Sequence, residues 1–375
     1  MHHLPVSPLI SSGNDAYSRH ITDGCHHNQL SLVMLATLPA KTVQILLFLS
    51  FLTANHGLSF DSSPQSRRTL LAGSVQAAVT ASSSSLLMPS RPSVAAVNEK
   101  VSTAATATLS DGSIFPLASF GLQIYDDDTA YKLTMTALEV GYRNFFASVL
   151  ARNQRGFAKA VKDSGVPRQD LYICGSVVSN RVSGFDAAKK LTTQGWLQNM
   201  EKFAMGNIDY LDQIMLDYPG PDCESIKGQW ASFEDMYRQK LVRSLSVSNF
   251  SPPQIDCVLN AATVAKPVVN QLPFSVAYHP GNAVDENRQR GGLVQAWAPL
   301  GGSLGGRFTS SMKGTCGQIG KRYHKSFAQV ALRWIIQSGG SFTTQSKNKA
   351  HFTEDLDIFD FQLTEAEMTT LSGLA

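Results

Sequence analysis

From residue 100 onward, short apolar runs alternate with stretches whose apolar residues recur every three or four positions. The runs are bounded by glycine, proline and small polar residues, which is typical of buried strands between turns. They predict eight strands, at residues 118–123, 142–147, 170–177, 211–217, 241–248, 268–276, 293–299 and 341–345. The turn sequence Ser110-Asp111-Gly112-Ser113 predicts a β-hairpin before the first of these strands.

The stretches between the strands have the periodicity of amphipathic helices. Two apolar faces illustrate this: Ala130, Leu133, Ala137 and Val140 before Gly141, and Phe327, Val330, Ala331 and Trp334 between the N-cap Ser326 and Gly339. Eight strand–helix units in about 275 residues predict an α/β fold, the (β/α)8 TIM barrel. A doubly wound sheet would have a glycine-rich turn after its first strand. Here Gly121 stands alone, and the aspartates at 126–128 are predicted to begin a helix.

The first 98 residues have a different composition, with three acidic and five basic residues and no Asp or Glu from 62 to 98. We predict a disordered targeting segment over residues 1–98 and a barrel domain over 99–375. The part at 34–60 is signal-like, because an apolar run too short to span a bilayer follows Lys41, and Met34 is an alternative start to Met1. The part at 61–98 is serine-rich and carries Arg67-Arg68 before a second apolar stretch.

This order of signals resembles an import address for a plastid, and for the thylakoid lumen in particular, in an alga with a secondary plastid. Two alternatives remain: the secretory pathway, or a chance arginine pair in a disordered tail. With an address of this kind removed, no integral membrane span is expected in the mature protein.

Charge and cysteine spacing exclude several classes of function. The net charge is only +3 and the basic residues are scattered, which excludes a nucleic-acid-binding patch. The five cysteines are far apart with no CxxC pair, so we expect free buried thiols and neither a disulfide framework nor a metal site. No histidine lies between His56 and His279, which excludes any mechanism that needs one there.

Several motifs in barrel order resemble the aldo-keto reductase family over residues 105–375. They include Gly141-Tyr142-Arg143, Asp209-Tyr210-Leu211-Asp212, Val247-Ser248-Asn249-Phe250, Asn270-Gln271, Ala298-Pro299-Leu300-Gly301 and the segment at 328–334. The resemblance implies a barrel that reduces carbonyl compounds with a hydride from NADPH. It also implies a tyrosine as general acid, tuned by a lysine and a histidine, with an aspartate paired to the lysine.

All four of these tetrad positions are substituted in this chain. The resemblance places the aspartate at Phe146, the tyrosine at Ala151, the lysine at Ser176 and the histidine at Asp217. Asp217 is either a new general acid or base, with a pKa raised by its apolar neighbours, or an ordinary hydrogen-bonded carboxylate.

The cofactor positions are partly kept. By resemblance, Ser248, Asn249 and Gln271 would bind the nicotinamide carboxamide and Trp297 would stack on its ring, with Leu300 and Ser346 further along the cofactor. The alternatives are that Ser248-Asn249 caps the next helix and that Trp297 is barrel packing. Residues 301–307 form either a pyrophosphate loop or a plain connection.

The phosphate end departs from the family. Its Pro-Lys-Ser and following arginine appear as Thr344-Gln345-Ser346 and His351, which leaves Lys347 or Lys349 as the cation that could stand in. We therefore expect weak binding of NADP(H) or NAD(H).

Three functions follow from this pattern. The first is a catalytically degenerate barrel, a pseudoenzyme that binds a nicotinamide nucleotide, a small carbonyl ligand or an unknown protein partner. The second is an active NAD(P)H-dependent aldehyde or ketone oxidoreductase with a rebuilt site. The third is different chemistry at the same mouth, such as hydrolysis that uses Asp217.

The targeting prediction can be tested with a fluorescent protein fused after residues 34–98 in an alga that has a secondary plastid. We expect the fluorescence to accumulate in the plastid, because the apolar run and the serine-rich segment would be recognised in turn. The matched control carries Arg67→Gln and Arg68→Gln, which should stop the fusion before the lumen. Cytosolic fluorescence of the unmodified fusion would contradict the prediction.

Overall fold

The computed structural model describes residues 105–122, 125–302 and 306–375, and it confirms the predicted (β/α)8 barrel with its hairpin. The strands are β1 (Thr106–Thr108), β2 (Ile114–Pro116), β3 (Ala118–Gly121), β4 (Asn144–Ala147), β5 (Tyr172–Val177), β6 (Leu211–Asp217), β7 (Val242–Ser248), β8 (Pro267–Pro273), β9 (Leu293–Trp297) and β10 (Ser341–Thr344). The helices are α1 (Asp127–Val140), α2 (Gln154–Ser164), α3 (Phe185–Ala204), α4 (Cys223–Arg238), α5 (Pro252–Ala261), α6 (Ala283–Gln289), α7 (Ser310–Tyr323), α8 (Phe327–Gln337), α9 (Lys349–Leu356) and α10 (Glu365–Ser372). Short 3-10 turns lie at Val149–Ala151 and Arg168–Asp170.

The eight strands from β3 to β10 pair in parallel and form a closed barrel in the order β10-β3-β4-β5-β6-β7-β8-β9. Strand β10 closes the sheet because it pairs with β3 on one side and with β9 on the other. Side chains that face outward from the strands pack under the helices in the larger apolar cluster, as Phe145 and Leu216 do. All the strands therefore end at one rim, which is where barrel proteins of this type carry their functional side chains.

The hairpin β1–β2 covers the opposite, amino-terminal end of the barrel. Phe115 and Leu109 pack against a second apolar cluster that includes Tyr172, Cys174 and Met215. The turn is tied to β7, because the Ser244 hydroxyl donates to Asp111 at 2.6 Å. The hairpin thus covers this end and leaves the carboxyl-end rim as the mouth.

The helix boundaries follow the local signals in the sequence. Asp126 is the N-cap of α1 and accepts from the Thr129 backbone N–H at 2.7 Å, as expected for the aspartates at 126–128. Gly141 ends α1 with φ at 116°, a left-handed conformation that favours glycine. Ser326 caps α8, and the Gln329 side chain completes its capping box.

The predicted targeting segment, including both of its parts and the alternative start, lies outside the described residues. Gln123, the end of the first predicted strand, also lies outside them, and β3 ends at Gly121. Within the described part of the chain, no helix is both long and apolar enough to cross a membrane.

The cysteine prediction was wrong for one pair. Cys223 and Cys257 form a disulfide with their Cα atoms 5.6 Å apart. They are 34 residues apart in sequence, but they lie on α4 and α5, which pack side by side on the barrel. Spacing along the chain detects local pairs only, so it missed a contact that the barrel creates. Cys174 and Cys316 are buried free thiols, as expected.

Removing this cross-link should lower the free energy of unfolding by about 2–4 kcal/mol, because a closed loop restrains the unfolded chain. The measurement is urea unfolding of the wild type and of the Cys223→Ser/Cys257→Ser variant, each with and without reductant. The reductant should destabilise the wild type and leave the double variant unchanged. Identical wild-type curves with and without reductant would contradict the disulfide.

Candidate functional site

The strand register brings the predicted mouth residues together. Asp217 at the end of β6 pairs with Ser248 at the end of β7, and Ser248 pairs in turn with Gln271 on β8. Trp297 is the last residue of β9, next to β8 in the sheet. Because the strands are parallel, these residues lie side by side on the rim although they are distant in sequence.

The backbone turns sharply where it leaves this rim. Tyr218, Asn249 and Ala298 each follow the last residue of a strand and have φ values of 69°, 63° and 52°. A left-handed conformation costs a residue with a side chain about 1–2 kcal/mol. Such strain concentrates where a fold positions functional groups, and the hydrophobic pattern carries no signal for it.

The residues that the resemblance places at the four tetrad positions have structural partners. Ser176 is buried, and its hydroxyl accepts from the Val149 backbone N–H at 3.0 Å and donates to the Ser148 hydroxyl at 3.5 Å. Ala151 is buried in the 3-10 turn that Val149 begins. Phe146 packs against the apolar cluster inside the barrel. These three residues therefore fill space or anchor the loop after β4.

Asp217 is the one ionisable residue among those four. It is only 6% exposed, and burial raises the pKa of its carboxyl to about 6, while hydrogen bonds from Ser248 and Asn249 act in the opposite direction. The Asn249 amide donates to the Asp217 Oδ1 at 3.3 Å. A carboxyl with this pKa can hold and release a proton near neutral pH.

The residues assigned to the nicotinamide end are linked to one another. The Asn249 amide also donates to the Ser248 Oγ at 2.9 Å, and the Trp297 indole N–H donates to the Asn249 Oδ1 at 3.1 Å. The Gln271 amide donates to the Gln295 Oε1 at 2.8 Å. The alternative that Ser248-Asn249 caps the next helix is wrong, because Ser251 is the N-cap of α5.

A second part of the mouth is a cleft of about 350 Å³ between the ends of β9 and β10 and the first turn of α8. Its lining includes both predicted residues of this end, Leu300 and Ser346, together with Gly301, Thr344, Gln345, His351, Glu354 and Asp355. The Ser346 hydroxyl lies 3.0 Å from the His351 Nδ1. Residues 303–305 of the 301–307 loop lie outside the described residues, and of the others Gly301 alone lines the cleft.

The lysines that could stand in for the missing cations have other neighbours. Lys349 pairs with Glu139 at 2.6 Å, and the Lys347 ammonium lies 5.0 Å from the centre of the Tyr125 ring. Among the described residues that line the cleft, none is lysine or arginine. The cleft carries two carboxylates, Glu354 and Asp355, which the sequence analysis missed. The available signal was that Asp355 follows His351 by four residues on one helix, which places the two side chains on the same face.

A family model described as the aldo/keto reductase family matches residues 115–375. The chain belongs to the aldo/keto reductase family. Among the relatives of this member, the 9,11-endoperoxide prostaglandin H2 reductase of Trypanosoma cruzi is 29% identical over 239 residues, which are 64% of this chain and 80% of that protein. The glyoxal reductase of Bacillus subtilis is 29% identical over 270 residues, which are 72% and 92% of the two chains.

A solved structure supports the same fold. The Bombyx mori aldo-keto reductase in complex with NADP is similar with a TM-score of 0.64 and 23% identity, covering 72% of this chain and 92% of that one. In this aldo/keto reductase, the four residues that the resemblance assigns to a nicotinamide group lie together on the rim: Ser248, Asn249, Gln271 and Trp297. The cleft beyond them does not fit the extra ribose phosphate of NADP, because its fixed charges are carboxylates. No cluster of three metal-binding side chains occurs in the described residues.

The raised pKa of Asp217 predicts a pH-dependent stability. The folded state holds the proton of Asp217 more tightly than the unfolded state, in which the pKa is about 3.9. The protonated carboxyl therefore stabilises the fold fully below pH 4, and this stabilisation is lost as the pH rises to about 6. Asp217→Asn cannot ionise. The free energy of unfolding of the variant minus that of the wild type should therefore increase by about 1–3 kcal/mol between pH 4 and pH 7.

The measurement is urea unfolding at several pH values for the wild type, Asp217→Asn and the control Asp209→Asn. Asp209 is an exposed aspartate just before β6, at the other end of the same strand. Its variant should follow the wild type at every pH. A constant difference between Asp217→Asn and the wild type across this range would contradict the raised pKa.

Proposed function

We propose that this member of the aldo/keto reductase family binds a nicotinamide nucleotide weakly and does not reduce carbonyl compounds through the family's tetrad. The observation that carries the proposal is the hydrogen bonding of Ser176, which the resemblance places where the family has its lysine. Its hydroxyl holds the Val149 backbone and Ser148, so it serves the loop after β4. A neutral hydroxyl in this position supplies no charge that would lower the pKa of a neighbouring proton donor.

The other positions support the same conclusion. Hydride transfer to a carbonyl leaves an alkoxide, which needs a proton donor or a fixed positive dipole beside it. Phe146 and Ala151 carry no ionisable group, and Phe146 is packed against apolar side chains. The nearby phenol of Tyr218 has a pKa raised by burial and by the charge of Asp217, which makes it a poorer acid.

The rim that remains is suited to binding. Asp217, Ser248, Asn249 and Trp297 form one chain of hydrogen bonds, so their side chains are already oriented in the absence of a ligand. Groups held in this way lose little conformational freedom when a ligand arrives. The rim can therefore bind a ligand although the family's proton-transfer groups are replaced. We infer that this barrel is a binding or interaction protein.

A second candidate is an active carbonyl oxidoreductase with a rebuilt site, and one observation favours it. Asp217 is buried at the rim and its pKa is raised to about 6, so a fraction of the carboxyl is protonated near neutral pH. A protonated carboxyl next to Ser248 and Asn249 could donate to a carbonyl oxygen. In this candidate Asp217 takes the role of the tyrosine.

We also propose that the protein works in a plastid, with the thylakoid lumen as the favoured compartment and the secretory pathway as the alternative. The disulfide between Cys223 and Cys257 supports a compartment outside the cytosol, because cytosolic thiols are kept reduced.

The proposal is tested by turnover of NADPH and NADH with a panel of aldehydes and ketones, with the Bacillus subtilis glyoxal reductase as the active comparison. General acid–base groups contribute about 10²–10⁴-fold to a rate, so we expect the rate of this protein to be lower by at least about 10³-fold. Calorimetry should give dissociation constants above about 10 µM for both nucleotides, which corresponds to binding weaker than about −6.8 kcal/mol.

Two variants separate the candidates. The proposal would be overturned by a wild-type rate close to that of the comparison enzyme. If Asp217→Asn abolishes this rate and Asp209→Asn preserves it, the second candidate is established. The same rate in Asp217→Asn would overturn both, because neither assigns the proton to another group.

A further inference from the structure

The disulfide between Cys223 and Cys257 lies just beyond the rim of the barrel. Cys223 is the first residue of α4, and only the short loop 218–222 separates it from Asp217 at the end of β6. Cys257 lies in α5, which follows Ser248 at the end of β7 after an even shorter loop. The bond therefore links the two helices that come directly after the two neighbouring strands Asp217 and Ser248 end.

The opposite ends of these helices are held by hydrogen bonds. The Glu234 carboxylate, near the end of α4, accepts from the backbone N–H groups of Thr263 and Val264, just after α5, at 2.6 and 2.7 Å. The Trp230 indole N–H donates to the Ala265 carbonyl at 3.1 Å. In the part of the chain that the structure describes, no hydrogen bond or ion pair joins a residue of α4 to a residue of α5 itself. The disulfide is therefore the specific link between the two helices near the rim.

The loops between the disulfide and the rim make the contacts that hold the rim together. The Tyr218 backbone N–H donates to the Ser248 carbonyl at 3.1 Å, and the Asn249 backbone N–H donates to the Gln271 carbonyl at 2.9 Å. The Asn249 amide also donates to Asp217. Tyr218 and Asn249 have the left-handed backbone conformations described above, and such a conformation persists only while its surroundings hold it. The geometry of the rim thus depends on the helices that these loops enter.

The disulfide is open to chemical exchange, because Cys223 and Cys257 are both partly exposed. One thiolate of an external dithiol attacks the Cys257 Sγ, the S–S bond breaks and Cys223 leaves as a thiolate. The N–H groups at the beginning of α4 stabilise this anion, which favours Cys223 as the leaving group. The second thiol of the dithiol then displaces Cys257. The dithiol is oxidised to a disulfide, and its two electrons and two protons end on the two cysteines.

We propose that thiol–disulfide exchange between the Cys223–Cys257 bond and an external dithiol regulates the rim. The oxidised form holds the loops after β6 and β7 in the conformation that binds a ligand, and the reduced form releases them and binds more weakly. Because Glu234 ties the other ends of the helices, the release is confined to the rim. The inference deepens the proposed ligand binding and rests on it, since it names a regulation of the same site.

The first measurement is hydrogen–deuterium exchange of the full-length protein at neutral pH, oxidised and after complete reduction with dithiothreitol. We expect the amides of Tyr218 and Asn249 to exchange at least about 10-fold faster after reduction, because exchange reports the free energy of local opening. The amides of Thr263 and Val264, which Glu234 holds, should exchange at the same rate in both forms. They serve as the internal control for a loss of stability of the whole fold.

The second measurement is calorimetry of both forms with nicotinamide mononucleotide. Reduction should weaken its binding by at least about 5-fold, because the apparent affinity falls with the fraction of molecules in the binding conformation. The Cys223→Ser/Cys257→Ser variant should match the reduced wild type in both measurements and should not respond to dithiothreitol. Cys316→Ala removes a buried free thiol and keeps the disulfide, so it should respond as the wild type does.

Equal exchange at Tyr218 and Asn249 in the oxidised and reduced wild type would overturn the inference, and this comparison needs no variant. Faster exchange that extends equally to Thr263 and Val264 would also overturn it, because the opening would then be global. Faster exchange at the rim with an unchanged affinity would remove the regulatory role. If nicotinamide mononucleotide binds neither form at millimolar concentration, the proposed binding fails, whereas the exchange rates still decide whether the disulfide controls the rim.

Discussion

Pairing of β10 with both β3 and β9 closes the sheet, and the rest of the molecule depends on this closure. The eight strands are parallel, so closure forces all their carboxyl ends onto one rim. Register then decides which residues meet there. Asp217 and Ser248 are paired across β6 and β7, and Ser248 and Gln271 across β7 and β8. A shift of one residue in any strand would turn these side chains away from the mouth.

The same closure explains which features the sequence could predict. Each strand is a local apolar run and several helices begin at a local capping residue, so all eight strands, the hairpin and the caps at Asp126 and Ser326 followed from short windows. The Cys223–Cys257 disulfide did not, because it exists only after α4 and α5 pack together. The left-handed conformations of Tyr218 and Asn249 are likewise set by tertiary context and leave no mark on the hydrophobic pattern.

The candidate site also has features that the sequence could predict and features that it could not. The positions of Asp217, Asn249 and Trp297 could be predicted from motifs, but their mutual hydrogen bonds could not, since amide and indole groups have several acceptors within reach of a rim. Asp355 was missed because a carboxylate on an amphipathic helix is expected to face solvent. Its burial depends on Tyr142 and Thr344, which belong to two separate strand regions of the barrel.

By the resemblance, Phe146 and Ser176 stand at the mouth where the family has charged groups. Charged groups inside a barrel lose hydration and must be held by partners, so a catalytic site is costly to the stability of its fold. Phe146 adds apolar packing to the interior cluster, and Ser176 adds a hydrogen bond to the loop after β4. Both residues therefore favour the folded state without a ligand. The buried carboxyls of Asp217 and Asp355 are the opposite case, because burial raises the pKa of each to about 6 and opposes ionisation. Groups that a fold keeps against its own stability are the ones expected to contact a ligand. By this argument we expect a ligand of this mouth to contact the two aspartates, one at each end.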